Sequence, residues 1–310
     1  MAALAKRLFL FLSMNLAVVL VFTTVSFVVE RYFGIRISSS AGGYAPLAIM
    51  ALAYGFIGSF VSLWLSKWMA KSAYGIEILS ETRLMDYSPK EQLVYATVAR
   101  IAKEHGIQVP EVGVYQSSDS NAFATGATKH SSLVAVSTGL LESMSASEIE
   151  GVVAHEMAHV LNGDMVTMAL LQGVINAFVI FAARVVGGII DSALRSNNSD
   201  SEGSSGNGFG YYVTVFILET VFSVLASTIL MWFSRHREFR ADEGSSKYVG
   251  KEKMIAALKR LQSMTERTET FDDGRLATMK IASRSSILQL FSSHPPLEKR
   301  IANLESKFTF

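Results

Sequence analysis

The sequence predicts a mainly helical α+β membrane protein, with four transmembrane helices and a water-soluble domain that contains a small sheet. Half of the 310 residues are apolar and the mean hydropathy is positive, a composition that favours a membrane protein. Four stretches are nearly free of charge and have about the ~20 residues needed to cross a 30 Å hydrocarbon core. These stretches are Leu8–Val29, Tyr44–Leu65, Met165–Ile190 and Phe209–Phe233.

The first apolar stretch follows two basic residues, as the core of a secretory signal peptide would, but it is too long and lacks an A-x-A cleavage site. We therefore interpret it as a retained anchor.

Four crossings place most flanking basic residues on one side, which the positive-inside rule predicts to be cytoplasmic. Arg31 and Arg36, in the first outer loop, oppose this orientation. The residues on the cytoplasmic side are Lys6, Arg7, Lys67, Lys71, Arg235, Arg237 and Arg240.

The spans divide the chain into four regions. Residues 1–66 form two N-terminal transmembrane helices, and residues 67–164 form the first part of the soluble domain. Residues 165–233 form a transmembrane hairpin, and residues 234–310 form the second part of the soluble domain. Within the hairpin, residues 191–208 are rich in Ser, Asn and Gly, a composition that predicts a mobile linker.

Capping signals mark the helices of the soluble domain. Ser88-Pro89-Lys90-Glu91 is a capping box with proline at the first helical position, and His105-Gly106 is expected to end that helix. Ser145-Ala146-Ser147-Glu148 is a second capping box, and it begins a helix that Asn162-Gly163 is expected to end. Two later helices are predicted at Lys251–Met264 and Pro296–Ser306.

Three short runs between the capped helices predict a small meandering sheet. Ser, Asp, Asn and Gly separate the runs, as turn residues separate strands. The runs are Val112–Gln116, Asn121–Thr125 and Leu133–Ser137.

The second capped helix carries His155-Glu156-Met157-Ala158-His159. Residues four apart share one helix face with Cβ atoms ~6 Å apart, so both imidazoles can bind one ion. Glu156 is rotated by about 100° from His155, so it is not expected to be a ligand. It can instead act as general base on a water molecule beside the ion. The alternative is an amphipathic helix with two surface histidines.

A hydrolytic zinc site has three protein ligands and leaves one position for water, so a third ligand is required. The metzincin pattern is excluded, because Asn162 and Met165 stand where it has glycine and histidine. Glu238 is our candidate, and Asp242, one turn later on the same face, is expected to orient a ligating imidazole. Two spans separate His159 from Glu238, so both lie on one side of the membrane, close to its surface.

One zinc ion per chain is the predicted cofactor. Zinc accepts two histidines and one glutamate in four-coordinate sites and brings the pKa of bound water to ~7. A non-haem iron triad is the rival, but it would leave Glu156 without a role.

The chain has no cysteine, which excludes disulfides and thiolate ligands and fits a reducing compartment. A net charge of +1 gives no reason to expect a nucleic-acid partner.

Two further motifs, Ser120-Asn121-Ala122-Phe123-Ala124-Thr125-Gly126 and Ser293-His294-Pro295-Pro296, accompany the metal-binding residues. With those residues and the spacing of the spans, they resemble the HtpX-type membrane zinc metalloproteases, relatives of the CAAX prenyl endopeptidases. The resemblance covers essentially the whole chain. It implies a zincin-like (gluzincin) domain on the cytoplasmic side of the bacterial inner membrane, and damaged or misassembled membrane proteins as substrates.

The resemblance also implies substrate contacts. Asn121, Ala122 and Phe123 match the edge strand that gluzincin proteases present to an extended peptide, where main-chain pairing binds many sequences. The alternative is an ordinary hairpin strand. His294 is expected to approach the site and donate to the oxyanion of the tetrahedral intermediate. A capping or structural role is its alternative.

Glu219 lies near the middle of the fourth span, where a carboxylate usually requires a partner. Asn176 and Arg184, at comparable depths on the third span, are the candidate partners. We expect the pair to hold the hairpin together, and handling of substrate is the alternative.

Two other functions stay open at this point. One is a CAAX-type processing protease, for which four spans are too few. The other is a non-catalytic, metal-stabilised membrane scaffold, against which the intact Glu156 argues. The expected partners are membrane-protein substrates and the lipid bilayer, and the sequence does not indicate the oligomeric state.

Overall fold

The computed structural model describes residues 31, 44–196, 209–271 and 294–307. In these ranges the chain is mainly helical and contains one small mixed sheet. The helices are α1 (Tyr44–Tyr74), α2 (Pro89–Glu104), α3 (Thr138–Ser143), α4 (Ala146–Asn162), α5 (Asp164–Ser196), α6 (Phe209–Val249), α7 (Lys251–Phe271) and α8 (Leu297–Lys307). The strands are β1 (Glu77–Ile78), β2 (Glu111–Tyr115), β3 (Ala122–Thr128) and β4 (Ser131–Ser137), and a 3₁₀ helix spans Glu81–Asp86.

Three of the four predicted spans fall on described helices that are long and apolar enough to cross a membrane. These helical segments, each of which contains an apolar stretch of spanning length, are Pro46–Tyr74, Asp164–Ala193 and Gly210–Val249. The other predicted span, Leu8–Val29, lies outside the described residues. Helix α5 continues to Ser196, into the predicted linker, because residues 191–196 contain no glycine or proline to end it. The rest of that linker, 197–208, also lies outside the described residues.

The chain divides into two compact units. Of the described residues, those within 1–60 and 170–226 belong to the first unit, and those within 61–169 and 227–310 belong to the second.

In the first unit, α1 and α5 approach closely through small residues. A Cβ atom on Gly55 would lie 2.4 Å from the carbonyl oxygen of Gly173 and 2.9 Å from Cβ of Ala177. Ala51 and Ser59, four residues to either side of Gly55, are also buried. Small residues at intervals of four let helix backbones pack against each other where lipid provides no hydrophobic driving force.

The first unit also contains an ion pair between α5 and α6. Arg184 Nη1 donates to Glu219 Oε1 across 2.6 Å. The structure therefore selects Arg184 from the two predicted partners of Glu219. Asn176 instead accepts a hydrogen bond from Gln172, one turn earlier on its own helix.

In the second unit, the strand order is β1-β2-β4-β3. The prediction of a meander is wrong, because β4 lies between β2 and β3 and pairs in parallel with β2. Residues 132–137 of β4 are all buried, and a strand that is buried on both faces belongs in the centre of a sheet. Strand β3 pairs antiparallel with β4 and forms the edge.

Both predicted capping boxes are confirmed. Ser88 N–H donates to Glu91 Oε2 across 2.7 Å, and Glu91 N–H donates back to Ser88 Oγ. Ser145 and Glu148 make the same reciprocal pair at the start of α4. Each such cap satisfies two main-chain donors that a helix start otherwise leaves unpaired.

The core of the second unit surrounds α4, which packs against α2, α7 and β3. Ile149, Val153 and Met157 of α4 are completely buried, and full burial of such a side chain stabilises the fold by ~1.5–3 kcal/mol. Gly151 lets α7 approach, because a Cβ atom there would lie 2.6 Å from the carbonyl oxygen of Lys253. The helix with the histidine pair is therefore held rigidly in the domain.

Candidate metal centre

Two histidines of α4 converge on one point. His155 and His159 are one helical turn apart, and their Nε2 atoms lie 3.2 Å from each other. The ring planes are nearly perpendicular, at 88°. Both side chains are buried by the packing around α4. The structure thus places both imidazoles on one face, as their spacing predicts.

Glu238 of α6 supplies an oxygen donor at the same point. Its Oε2 atom lies 3.4 Å from His155 Nε2, and its Oε1 atom lies 3.3 Å from His159 Nε2. The side chain is almost completely buried. Two nitrogens from one helix and a carboxylate from another therefore form a compact donor set, with all three ligand atoms within 4.8 Å of one another.

The spacing of these donors fits a tetrahedral metal ion. Zinc bonds of ~2.0–2.1 Å would set two donors of a tetrahedral site ~3.3 Å apart. The two imidazole Nε2 atoms are 3.2 Å apart, and each lies at a similar distance from a different Glu238 oxygen, 3.4 Å from Oε2 for His155 and 3.3 Å from Oε1 for His159. A site with three protein ligands leaves the fourth position for water or substrate, as in catalytic zinc sites.

The carboxylates around the histidines favour positive charge at this point. Burial opposes the charged form of His159, but Asp164 and Glu238 outweigh it and raise the pKa of His159 to about 9. Burial likewise opposes the charge on His155, and Asp242 and Glu238 outweigh it and raise its pKa. Glu238 Oε1 is buried and accepts no hydrogen bond from the described part of the chain. A cation would compensate this oxygen.

Asp242 holds His155 from the side opposite the donor point, which is the point on which His155, His159 and Glu238 converge. Its Oδ1 atom lies 2.9 Å from His155 Nδ1. Arg300 of α8 binds the same carboxylate through two nitrogens, with Nε at 2.8 Å from Oδ2 and Nη2 at 2.6 Å from Oδ1. Burial opposes the charge on Arg300, but Asp242 outweighs it and raises the pKa of the guanidinium. The arginine therefore stays charged.

Asp164 holds His159 in a matching way. Its Oδ2 atom accepts a hydrogen bond from His159 Nδ1 at 2.6 Å, and Arg240 Nη2 donates to Oδ1 at 3.2 Å. Each imidazole therefore directs Nδ1 at an aspartate and Nε2 at the donor point. Such carboxylate contacts fix the tautomer and orientation of ligating histidines.

Glu156 and His294 lie beside the donor set. Glu156 follows His155 on α4 and is partly exposed. His294 Nδ1 lies 2.9 Å from Glu238 Oε2, and its side chain is mostly exposed. His294 therefore contacts one of the three donors and Glu156 neighbours another along the helix, and the catalytic roles of both stay predictions.

The three predicted substrate contacts belong to the edge of the sheet. Asn121, just before β3, is exposed, and its carbonyl oxygen accepts a hydrogen bond from Ser137 N–H. Ala122 and Phe123 begin β3 and are partly buried. The Phe123 ring packs against Tyr74 and Tyr115, with centroids 5.4 and 5.7 Å away.

Sequence reasoning missed three residues of the site. Arg300 gives no local signal, because it lies on a helix 58 positions after its aspartate. Arg240 belongs to the basic residues that flank the fourth span, and this pattern predicts only the orientation of the chain in the membrane. Asp164 follows His159 by five residues, just beyond Gly163, and a turn at that glycine is the signal that could have identified it.

Comparisons with known proteins give one family match and several close relatives for this chain. A family model described as Peptidase family M48 matches residues 88–307, which include all three donors. The Protease HtpX of Tolumonas auensis is 50% identical over 299 residues, covering 96% of this chain and 98% of that protein. The Protease HtpX of Stenotrophomonas maltophilia is 52% identical over 300 residues, covering 97% and 98%.

A solved structure shares the fold. The crystal structure of S. mikatae Ste24p matches with a TM-score of 0.61 and 18% sequence identity, covering 98% of this chain and 65% of that one. The present chain thus spans less than two thirds of the Ste24p chain, and the likeness concerns the fold alone. The M48 match and the near full-length HtpX relatives show that this chain belongs to Peptidase family M48 and is a membrane metalloprotease.

Proposed function

We propose that this chain is a zinc-dependent endopeptidase that hydrolyses peptide bonds in damaged or misfolded membrane proteins. One zinc ion per chain would be bound by His155, His159 and Glu238. The observation that carries this proposal is the convergence of three buried side chains, with the two imidazole Nε2 atoms 3.2 Å apart and each within 3.4 Å of one of the two Glu238 oxygens.

Glu156 is the proposed general base and general acid. A bound zinc ion lowers the pKa of a coordinated water molecule to ~7 and polarises a carbonyl oxygen. Glu156 accepts the proton of the attacking water and then donates it to the leaving amine. Its position next to His155, rotated away from the donor face, leaves its carboxylate free for proton transfer.

Asp242 is the proposed orienting residue for His155. The 2.9 Å contact with Nδ1 leaves Nε2 of His155 as the nitrogen that would bind the metal. The two hydrogen bonds from Arg300 hold the carboxylate in place. Asp242 therefore acts through His155 and does not need to touch substrate.

The edge strand β3 is the proposed binding site for extended substrate. Because Asn121 directs its carbonyl oxygen at Ser137 on β4, strand alternation directs the main-chain groups of Ala122 toward the outer edge. Ala122 can therefore pair with a peptide main chain, and the exposed Asn121 side chain lies beside it. Phe123 supports this strand through its packed ring.

His294 is the proposed donor to the oxyanion. Its 2.9 Å contact with Glu238 and its exposure support this role, since it lies beside the metal ligands and faces solvent. A positioned donor at this place stabilises charge that develops only in the transition state.

The proposed location is the bacterial inner membrane, with the catalytic domain in the cytoplasm. The bacterial HtpX relatives and the basic residues that flank the spans support it. Four transmembrane helices are part of the proposal, and the first of them falls on residues 8–29. Cytosolic loops and tails of membrane proteins are the segments that such a site would reach.

The test is cleavage of an unfolded membrane protein by the full chain in proteoliposomes. We expect the zinc-loaded protein to cleave it, the chelated protein to lose activity, and Glu156→Gln to bind one zinc but lose cleavage. Glu142→Gln, an exposed glutamate on α3, is the matched control and should cleave normally. Retained cleavage by Glu156→Gln, or no zinc in the parent chain, would refute the mechanism. Equal cleavage of an unfolded soluble protein would refute the proposed substrate class.

A further inference from the structure

We propose that Asp164 and Arg240 form a positioning arm for His159 and thereby set the affinity of the chain for its metal. This inference rests on the proposed function. Asp164 is completely buried, and both of its oxygens are engaged. Oδ2 accepts from His159 Nδ1 at 2.6 Å, and Oδ1 accepts from Arg240 Nη2 at 3.2 Å.

The turn at Gly163 places Asp164 against a histidine five residues earlier. Helix α4 ends at Asn162, and Gly163 adopts the left-handed conformation, with φ 68° and ψ 31°. Its N–H donates to the carbonyl oxygens of His159 and Val160, which closes the helix. Helix α5 begins at the next residue, so the carboxylate of Asp164 turns back toward His159.

Two features stabilise the negative charge of the buried Asp164 carboxylate. It is the first residue of α5, where the N-terminal N–H groups of a helix favour negative charge. It is also paired with Arg240, whose side chain is 52% exposed. The arginine thus stabilises a completely buried charge while its own side chain stays half exposed.

The consequence for His159 is a single useful tautomer. A proton on Nδ1, donated to Asp164, leaves the lone pair on Nε2, which faces Glu238 and His155. Without the carboxylate, the imidazole can rotate or carry its proton on Nε2, and neither form binds the metal well. Loss of such a partner weakens metal binding by about 10- to 100-fold.

Zinc titration of the full chain against a competing chelator tests this arm. The measurement uses the Glu156→Gln background, so that self-cleavage cannot contribute. We expect Asp164→Asn to bind zinc at least about tenfold more weakly. Arg240→Met should weaken binding by a smaller factor, because it removes only the outer contact. Asp86→Asn, in the exposed pair with Arg83, is the control and should leave the affinity unchanged.

A thermal unfolding measurement on the metal-free proteins separates positioning from packing. If Asp164 only packs, Asp164→Asn lowers the unfolding temperature but the folded protein binds zinc like the parent, and the inference is wrong. If Asp164→Asn does not fold, Arg240→Met decides, because its substitution site is half exposed. If Arg240→Met binds zinc as tightly as the parent, the inference is wrong. Failure of the parent chain to bind zinc would instead refute the proposed function.

Discussion

The two histidines of the metal centre are held by arms of the same chemistry but different construction. On one side, Arg300 binds Asp242 through two nitrogens, and Asp242 contacts His155. On the other side, Arg240 makes one hydrogen bond to Asp164, and Asp164 contacts His159. We refer to these as the His155 arm and the His159 arm.

The arms differ most in the environment of their arginines. The Arg300 side chain is 7% exposed, whereas that of Arg240 is 52% exposed. A buried ion pair gains more from its charges than an exposed one, and it costs more to break, because removing one partner leaves the other charge uncompensated. The comparison predicts that the His155 arm matters for both folding and metal binding, and that the His159 arm matters mainly for metal binding.

Arg300→Met is the substitution with the largest expected effect on folding. Arg300 pairs with Asp242 and also lies 3.4 Å from Glu238 Oε2 through Nη1, so the substitution leaves two buried carboxylates without this guanidinium. Breaking a buried pair costs about 3–5 kcal/mol. Denaturant unfolding of metal-free Arg300→Met, made in the Glu156→Gln background, should show a loss of this size in the free energy of unfolding. The control is Lys259→Met, which breaks the exposed contact between Lys259 and Glu305 and should leave the unfolding midpoint near that of the parent. Equal midpoints for Arg300→Met and the parent would show that burial does not distinguish the arms.

Asp242→Asn is expected to have the next largest effect, on metal affinity. The amide keeps the shape of the side chain but removes the charge that holds both His155 and Arg300. Loss of affinity should reach the upper end of the usual range, about 100-fold, and should exceed that of Asp164→Asn. Competition with a chelator measures both variants under the same conditions. A larger loss in Asp164→Asn than in Asp242→Asn would reverse the ranking of the arms.

The local parts of this site could be predicted from the sequence. His155 and His159 share a helix face through their spacing, and so do Glu238 and Asp242. Both capping boxes could be recognised because their partners are three residues apart. In each case the interaction lies within one helical turn, where sequence separation fixes the distance.

The remaining parts depend on tertiary packing. The contact between Arg300 and Asp242 joins helices 58 residues apart, and no periodic pattern specifies it. The predicted meander is wrong because the sequence of β4 is compatible with an outer or a central strand until its neighbours are known. Asp164 is an intermediate case, because it is close to His159 in sequence but reaches it only through the left-handed turn at Gly163.

Gly163→Ala is the smallest of the expected effects, and it tests whether this turn builds the His159 arm. A left-handed backbone costs an L-residue roughly 1–2 kcal/mol. The space around Gly163 is open, since the nearest atom to an added Cβ is Lys129 Cε at 3.6 Å. The effect should therefore come from the backbone, as a lower unfolding temperature and a weaker zinc affinity. Gly163→Asn is the matched control, because asparagine adopts this conformation more readily, and it should recover most of both losses. If the alanine and asparagine variants behave alike, the left-handed turn does not position Asp164, and the His159 arm depends on Arg240 and the start of α5 instead.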